Sequence, residues 1–100
     1  MKIGLIGCGA IGRTIANAMD RTEAIGAIFL FDRSEEAARS LATRLDKAVH
    51  VTSIEVLIKN SELVVEAASQ EALREYAPQV LWAGRDLMLM SVGALADDQL

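Results

Sequence analysis

The sequence predicts an α/β fold, a Rossmann-type doubly wound parallel sheet of about five strands in the order 3-2-1-4-5. Short apolar runs alternate with helical patterns along the chain, and a glycine-rich loop follows the first run. In addition, 52% of the residues are hydrophobic, although no long apolar segment is present. Parallel strands that helices cover on both faces are apolar along their whole length, which explains this composition. A chain of 100 residues has the size of one domain, so we expect a single domain over residues 1–100.

The first half of the chain is predicted to form two strand–helix units. The strands are expected over residues 2–6 and 27–31, where apolar residues dominate. One face of a first helix, over residues 11–21, is predicted to carry Ile11, Ile15, Ala18 and Met19. Ser34 is a suitable N-cap for a second helix that extends to about Leu45, because serine oxygens accept hydrogen bonds from first-turn N–H groups. Its apolar positions fall at helical spacing, at Ala37, Ala38, Leu41, Ala42 and Leu45.

The second half continues the alternation of strands and helices. Strands are predicted over 48–51, which is a weak pattern, and then over 63–67 and 86–90. Thr52 and Glu55 have capping-box spacing and should open a short helix through Ile58. Ser69 can cap the last helix, which Gly84 should end. Pro78 lies inside that helical pattern, and we expect it to kink the helix or to split it in two.

Composition narrows the class of protein. No apolar run approaches the roughly 20 residues of a membrane span, and no secretory signal is visible. The formal charge of −4 and the lack of basic clusters argue against nucleic acid as a partner. The single cysteine rules out an internal disulfide and fits a cytoplasmic setting. Residues 97–100 resemble the start of another helix, so we expect the front part of a longer enzyme, with the usual sixth strand and second domain beyond residue 100.

The glycine-rich loop over residues 7–12 matches the pattern G-x-G-x-x-G and stands between a predicted strand and a predicted helix. In that context the pattern predicts a dinucleotide-binding loop. Gly7 would allow the tight turn, Gly9 would let a pyrophosphate approach the backbone, and Gly12 would let the helix pack closely on the strand. The following helix would offer free N–H groups to the phosphates. The predicted cofactor-binding residues of this loop are Gly7, Gly9, Ala10, Ile11 and Gly12.

The end of the second strand carries the next candidates. Asp32 lies about 20 residues after Gly12, the spacing of the carboxylate that binds the adenosine ribose. A carboxylate repels a 2′-phosphate, so Asp32 predicts NAD as the cofactor. Arg33 could pair with a 2′-phosphate, which leaves NADP open, or it could be a solvated surface charge. The alternative for Asp32 is a carboxylate that caps a helix.

The remaining strand ends are lined by small residues. Ala67, Ala68 and Ser69 lie at the end of the fourth strand and would leave room for the cofactor, although Ser69 could serve as a helix cap alone. Glu66 precedes them, and we expect it to have a structural hydrogen-bonding role. The fifth strand is expected to end at Ser91, Val92, Gly93 and Ala94.

Neither of the two most reactive side chains, His50 and Cys8, is predicted to take part in catalysis. His50 is expected to be a bystander, because it follows the weak third strand on the adenosine side, and Cys8 is expected to be a small buried filler. The four methionines and Trp82 are predicted to be core or helix-packing residues. No metal site is predicted and no catalytic residue can be named.

The chain resembles L-aspartate dehydrogenases from about Ile3 to Asp97. The resemblance rests on the stretches Gly7–Gly12, Glu66–Ala72, Glu75–Ala77, Ala83–Met88 and Met90–Asp97. It implies interconversion of L-aspartate with oxaloacetate and ammonia through iminoaspartate, with NAD or NADP, in a step that feeds NAD biosynthesis. It also implies a homodimer whose catalytic histidine lies in a second domain. No residue here matches that histidine, so the short chain alone is expected to be inactive.

The sequence is also compatible with two other hypotheses of function. The chain could be a stand-alone nucleotide-binding module without chemistry of its own. It could also be the cofactor domain of another amino-acid pathway enzyme, such as a homoserine dehydrogenase or a dihydrodipicolinate reductase. The residues after position 100 would distinguish these possibilities, because substrate-binding groups would come mostly from outside this chain.

Overall fold

The computed structural model describes residues 1–90, which form a five-stranded parallel sheet in the order β3-β2-β1-β4-β5. The predicted fold class and strand order are therefore confirmed. The elements are, in chain order, β1 (Lys2–Ile6), α1 (Ala10–Asp20), β2 (Ala27–Phe31), α2 (Glu35–Ala42), β3 (Ala48–Val51), α3 (Ile54–Asn60), β4 (Leu63–Glu66), α4 (Gln70–Trp82) and β5 (Asp86–Leu89). The predictions for Ser91, Val92, Gly93 and Ala94 and for a helix start over 97–100 lie outside the described residues.

Helices cover both faces of the sheet, as the composition predicts. On one face, α1 and α2 contribute Ala16, Met19, Ala38 and Leu41 to a core with Leu5 and Leu30 of the strands. On the other face, α3 and α4 pack with Ile6, Phe29 and Val64; their contributions are Ile54, Leu57, Ile58, Ala72, Tyr76 and Val80. The central strands are thus buried on both sides, which is why their sequences are nearly uniformly apolar.

The sheet register brings three chain segments to one edge. Ile6 at the end of β1 is level with Phe31 of β2 and with Glu66 of β4. The backbone N–H of Gly7 donates to the Phe31 carbonyl at 2.8 Å, and the N–H of Ala67 donates to the Ile6 carbonyl at 2.8 Å. The loops after β1, β2 and β4 therefore start side by side, at the carboxyl edge where open α/β sheets bind their ligands.

Two of the predicted helix caps are confirmed and one is displaced. The hydroxyl oxygens of Ser34 and Ser69 accept from the N–H groups of Ala37 and Ala72, at 3.2 and 3.1 Å. The predicted start of α3 at Thr52 is wrong, because Ser53 is its N-cap and accepts from Val56 at 3.3 Å. Thr52 does not take this role, because its N–H still extends the strand ladder to the Leu30 carbonyl at 3.0 Å and its hydroxyl donates to the Ser53 carbonyl at 3.0 Å.

The predicted inner face of α1 is correct for Met19 and for Ile15, which is partly buried against the core, and wrong for Ile11 and Ala18. The buried residues of this helix are Gly12, Ala16 and Met19, whereas Ile11 is 54% exposed and Ala18 is exposed. The reason is the glycine loop itself. A Cβ atom at Gly12 would clash with the carbonyl oxygen of Gly7, so the helix packs against the loop through this position. The tight contact at Gly12 turns the row through Ala16 and Met19 inward and leaves Ile11 at the surface.

Pro78 does not divide the last helix, contrary to the prediction of a possible split. Helix α4 runs without a break from Gln70 to Trp82 and contains Pro78. Proline lacks the N–H that would bond the carbonyl four residues earlier, that of Arg74. Both residues are exposed, so water can bond this carbonyl and the helix continues.

The prediction that Trp82 and the four methionines are core or helix-packing residues is wrong for most of them. Only Met19 is buried, while Trp82 is 94% exposed and Met1, Met88 and Met90 are 52%, 49% and 41% exposed. The inward row of α4 consists of Ala72, Tyr76 and Val80, at four-residue spacing. Trp82 is two residues past Val80, so it points away from that row.

Candidate dinucleotide-binding site

The loop between β1 and α1 has the backbone that its glycines predict. Gly7 has a φ of 104°, and a Cβ atom there would lie 2.7 Å from the backbone nitrogen of Ala68. Only glycine combines this backbone conformation with so close a neighbour. The turn therefore brings the start of α1 directly beside the loop that follows β4.

Gly9 differs from the other two loop glycines because space is open around it. It is the N-cap of α1, it is exposed, and a Cβ atom there would meet nothing within 4 Å. No side chain caps the helix, and its first turn carries no acidic residue. The N–H groups of the first turn, at Ala10, Ile11 and Gly12, are thus available to an anion together with the partial positive charge of the helix. The residues present fit the pyrophosphate of a dinucleotide.

Asp32 joins this loop to the end of β2. One of its carboxylate oxygens accepts from the N–H of Cys8 at 2.7 Å, and the other accepts from the N–H of Ser34 at 2.8 Å. Ser34, and not Asp32, caps α2. Each carboxylate oxygen has two lone pairs, so both can accept a further hydrogen bond from a ligand hydroxyl. The hydrogen bond from Cys8 therefore holds the Asp32 carboxylate beside the glycine loop, close to the N-terminus of α1 that could bind phosphates.

A cleft lies between these loops and the first turns of α4. It is lined by Ile6, Gly7, Phe31, Asp32, Arg33, Ala68, Ser69, Ala72 and Tyr76. Of the sequence-predicted residues, Gly7, Asp32, Arg33, Ala68 and Ser69 line it together. Gly9, Ala10, Ile11 and Gly12 stand beside it at the start of α1. Ala67 is buried in the core on the α1–α2 side.

The sequence analysis did not identify Glu75, which pairs with a residue of the cleft, nor four of the lining residues themselves: Ile6, Phe31, Ala72 and Tyr76. The Arg33 guanidinium lies 3.6 Å from the Glu75 carboxylate across the cleft mouth. Tyr76 is buried and its ring meets the Phe31 ring edge-on, with centroids 5.6 Å apart. Hydrogen bonding to the Glu75 carboxylate, followed by burial, raises the pKa of Tyr76. The fold brings α4 over the end of β2, and no local pattern in the sequence announces that contact.

Glu66 has the structural role that the sequence predicts. It is 1% exposed, and one of its carboxylate oxygens accepts from the N–H groups of Ala68 and Ser69 at 2.8 and 2.9 Å. A buried carboxylate with these two bonds shapes the turn into α4. Glu66 therefore holds two cleft-lining residues in place from below.

Cys8 and His50 occupy packing positions. Cys8 is 4% exposed, and desolvation by burial, with a smaller contribution from Asp32, raises the pKa of its thiol to about 12. Its burial confirms the prediction of a small filler residue. The raised pKa keeps the thiol neutral, and a neutral thiol is a poor nucleophile. His50 stacks on Phe29 of the adjacent strand with centroids 4.9 Å apart, on the edge strand β3. Within residues 1–90, no group of three or more His, Cys, Asp or Glu side chains could hold a metal ion, and no helix is long and apolar enough to cross a membrane.

Several curated relatives with sequence similarity to this chain are L-aspartate dehydrogenases. The protein of Methanosarcina barkeri is 46% identical over 102 residues, which cover 100% of this chain and 38% of that protein. The protein of Methanosarcina mazei is 48% identical over 103 residues, with the same coverage of 100% and 38%. The chain thus spans 38% of the length of these relatives. The resemblance inferred from the sequence is confirmed.

Solved structures agree on the fold. A putative myo-inositol dehydrogenase from Sinorhizobium meliloti superimposes with a TM-score of 0.78 at 20% identity, covering 89% of this chain and 27% of that chain. GenD2 from gentamicin A biosynthesis, solved in complex with NAD, gives a TM-score of 0.78 at 24% identity, with coverage of 89% and 26%. The family model described as "Homoserine dehydrogenase, NAD binding domain" matches residues 7–100. The chain therefore belongs to this family of NAD-binding domains, and the prediction of NAD as the cofactor is confirmed.

Proposed function

We propose that this chain is the cofactor-binding domain of an L-aspartate dehydrogenase. In the reaction, L-aspartate loses a hydride from Cα and a proton from its amino group, and the resulting iminoaspartate reacts with water to give oxaloacetate and ammonia. NAD, or NADP, supplies the chemistry by accepting the hydride. The observation that carries the cofactor role is the junction of Asp32 with the glycine loop through the Cys8 N–H, next to the open helix terminus at Gly9. The similarity to L-aspartate dehydrogenases along the whole chain supports the substrate.

In this proposal, different residues at the carboxyl edge of the sheet bind different parts of the cofactor. The first-turn N–H groups of α1, at Ala10, Ile11 and Gly12, would bind the pyrophosphate, which approaches over Gly9. The free lone pairs of Asp32 would accept the ribose hydroxyls. The apolar floor of the cleft, formed by Phe31, Ala72 and Tyr76, suits a flat aromatic base. Ala68 and Ser69 add little bulk where the cofactor crosses toward the substrate, and Ala67 supports them from the core.

The proton that leaves the amino group needs a base outside the residues assigned here. Among the residues that the structure describes, Glu66 is bonded to two backbone N–H groups, and His50 is stacked on the far edge strand. We therefore propose that the substrate site and the base belong to a part of the protein outside residues 1–100. This chain alone should bind the cofactor weakly and give no measurable turnover, because hydride transfer needs the substrate carbon held against the cofactor.

The direct test compares the 100-residue chain with the full gene product in an assay of NADH formation from L-aspartate and NAD at alkaline pH. We expect turnover by the longer protein alone. Turnover by the short chain at the same rate would contradict this division of labour. Failure of the longer protein to oxidise aspartate would refute the proposed substrate.

Homoserine dehydrogenase is the second candidate, because the family model that matches residues 7–100 carries that description. The two candidates are separated by offering the full gene product L-aspartate and L-homoserine side by side with NAD and NADP. Activity with homoserine alone would favour the second candidate. A cofactor affinity without activity on either amino acid would favour a stand-alone nucleotide-binding module or another pathway enzyme, such as a dihydrodipicolinate reductase.

The cellular setting follows from the same proposal. We infer a cytoplasmic homodimer with a small-molecule substrate, without a role for nucleic acid, that supplies iminoaspartate to NAD biosynthesis. The net charge of −4 and the lack of basic clusters support the exclusion of nucleic acid. Sedimentation of the full gene product would test the dimer, since a monomer at assay concentration would contradict it.

A further inference from the structure

Arg33 and Tyr76 line the cleft and Glu75 pairs with Arg33, and we refer to these three residues as the Arg33 clamp. Arg33 follows β2, and the other two lie on α4. Nη2 of Arg33 is 3.6 Å from Oε1 of Glu75, with side chains that are 63% and 50% exposed. The Arg33 guanidinium therefore pairs with helix α4 on the other side of the cleft, and not with the carboxylate of Asp32, its neighbour in sequence.

Tyr76 gives the Glu75 carboxylate a fixed partner. Its ring is 7% exposed and packs edge-on against Phe31, with an interplanar angle of 80°. A packed ring restricts its hydroxyl, and the interaction of that hydroxyl with the Glu75 carboxylate is the largest cause of the raised pKa of Tyr76, which Arg33 partly offsets. The Glu75 carboxylate thus lies beside the packed Tyr76 ring on one side and the Arg33 guanidinium on the other. Such preorganisation distinguishes this pair from an isolated surface ion pair.

We infer that Glu75 is a positioning residue that sets cofactor selectivity by withholding the Arg33 guanidinium from a 2′-phosphate. Arginine is the side chain best suited to bind a phosphate in two-pronged geometry, and Arg33 is adjacent to the carboxylate proposed for the ribose. While it is paired with Glu75, its charge is partly offset and its Nη2 faces the Glu75 carboxylate. The site then favours NAD through two carboxylates, Asp32 beside the ribose and Glu75 on the guanidinium. This inference rests on the proposed cofactor role of the cleft.

Solvent exposure of the Arg33–Glu75 ion pair limits its effect on the NADP to NAD affinity ratio. An ion pair whose side chains are 63% and 50% exposed is weakened by solvent, so its loss should change the affinity ratio by about fivefold at most. The readout must therefore be a ratio measured on the same preparation, in which errors in active concentration cancel. The pair 2′,5′-ADP and 5′-AMP tests the same preference without the nicotinamide half.

The experiment measures dissociation constants of NAD and NADP by titration calorimetry for the full gene product and for Glu75→Gln. We expect Glu75→Gln to shift the affinity ratio toward NADP by about threefold to fivefold, and to shift the 2′,5′-ADP to 5′-AMP ratio in the same direction. Glu71→Gln is the matched control, because it removes the same charge from an exposed position in the first turn of α4. This control should leave both ratios unchanged.

The double variant Glu75→Gln with Arg33→Gln decides whether Glu75 acts through Arg33. We expect the gain for NADP to disappear in the double variant. If the gain persists, Glu75 acts by direct repulsion and the inference is wrong. If Glu75→Gln binds NAD normally with an unchanged ratio, the inference fails while the proposed cofactor site stands. If the unmodified protein binds neither nucleotide, both are refuted.

Discussion

Replacing Gly9 with valine should remove cofactor binding and leave the protein folded. A Cβ atom at Gly9 would meet nothing within 4 Å, and its φ of −78° is accessible to any residue. The cost to folding is that of a poorer N-cap, about 1 kcal/mol. The branched side chain would instead fill the open space over the start of α1, where we place the pyrophosphate.

The loss of binding can be worked out from the hydrogen bonds. A phosphate displaced from the helix terminus would lose about two charge-assisted hydrogen bonds from first-turn N–H groups. Each of these contributes about 1.5–3 kcal/mol, so the affinity should fall by at least about 100-fold. Gly9→Ala should fall between the two proteins, because it adds the same Cβ without the two branches.

Gly12→Ala is the contrasting variant, because its Cβ atom would clash with the carbonyl of Gly7 inside the loop. It should cost about 1–3 kcal/mol of folding free energy through overpacking, or about 4–8 °C of melting temperature per kcal/mol. The assays are titration calorimetry with NADH and thermal unfolding by circular dichroism. A folded Gly9→Val protein with near-native affinity would refute the placement of the pyrophosphate. An equal loss of stability in both variants would refute the claim that Gly9 faces open space.

Three further variants or treatments test single contacts. Asp32→Ser should raise the NADP to NAD affinity ratio at least about tenfold by removing like-charge repulsion; an unchanged ratio would show that Asp32 is not at the ribose. Cys8, whose thiol pKa is raised to about 12, should resist alkylation at pH 9 in the folded protein and react on unfolding in urea; rapid labelling of the native chain would contradict its burial. The pKa of Asp20 is lowered, chiefly by hydrogen bonds from the N–H groups of Lys47 and Asp46. Its stabilising effect should therefore be present at neutral pH and be lost as the pH falls through the lowered pKa, so Asp20→Asn should lower the melting temperature at pH 7 and flatten its acid dependence. Equal acid profiles for both proteins would exclude this contribution.

The features that the sequence predicted well are those encoded over a few neighbouring residues. The alternation of apolar runs with helical patterns was enough for the five strands and their order, since right-handed crossovers leave few arrangements of such a chain. The caps at Ser34 and Ser69 and the turn at Gly7 depend on hydrogen bonds and backbone angles within one turn. Such signals are local, so they can be read without knowledge of the fold.

Tertiary structure alone decided which faces and which partners these elements have. Contact with the Gly7 carbonyl turned Gly12 inward and left Ile11 exposed, against the apolar pattern of α1. The pairing of Arg33 with Glu75 joins two segments that are far apart in sequence. They meet because the strands that precede them, β2 and β4, lie on either side of β1. The hydrogen bond from the Cys8 N–H to Asp32 likewise depends on the register between β1 and β2. Helical periodicity specifies that a face exists, but steric fit against the sheet determines which one is buried, and no short stretch of sequence contains that information.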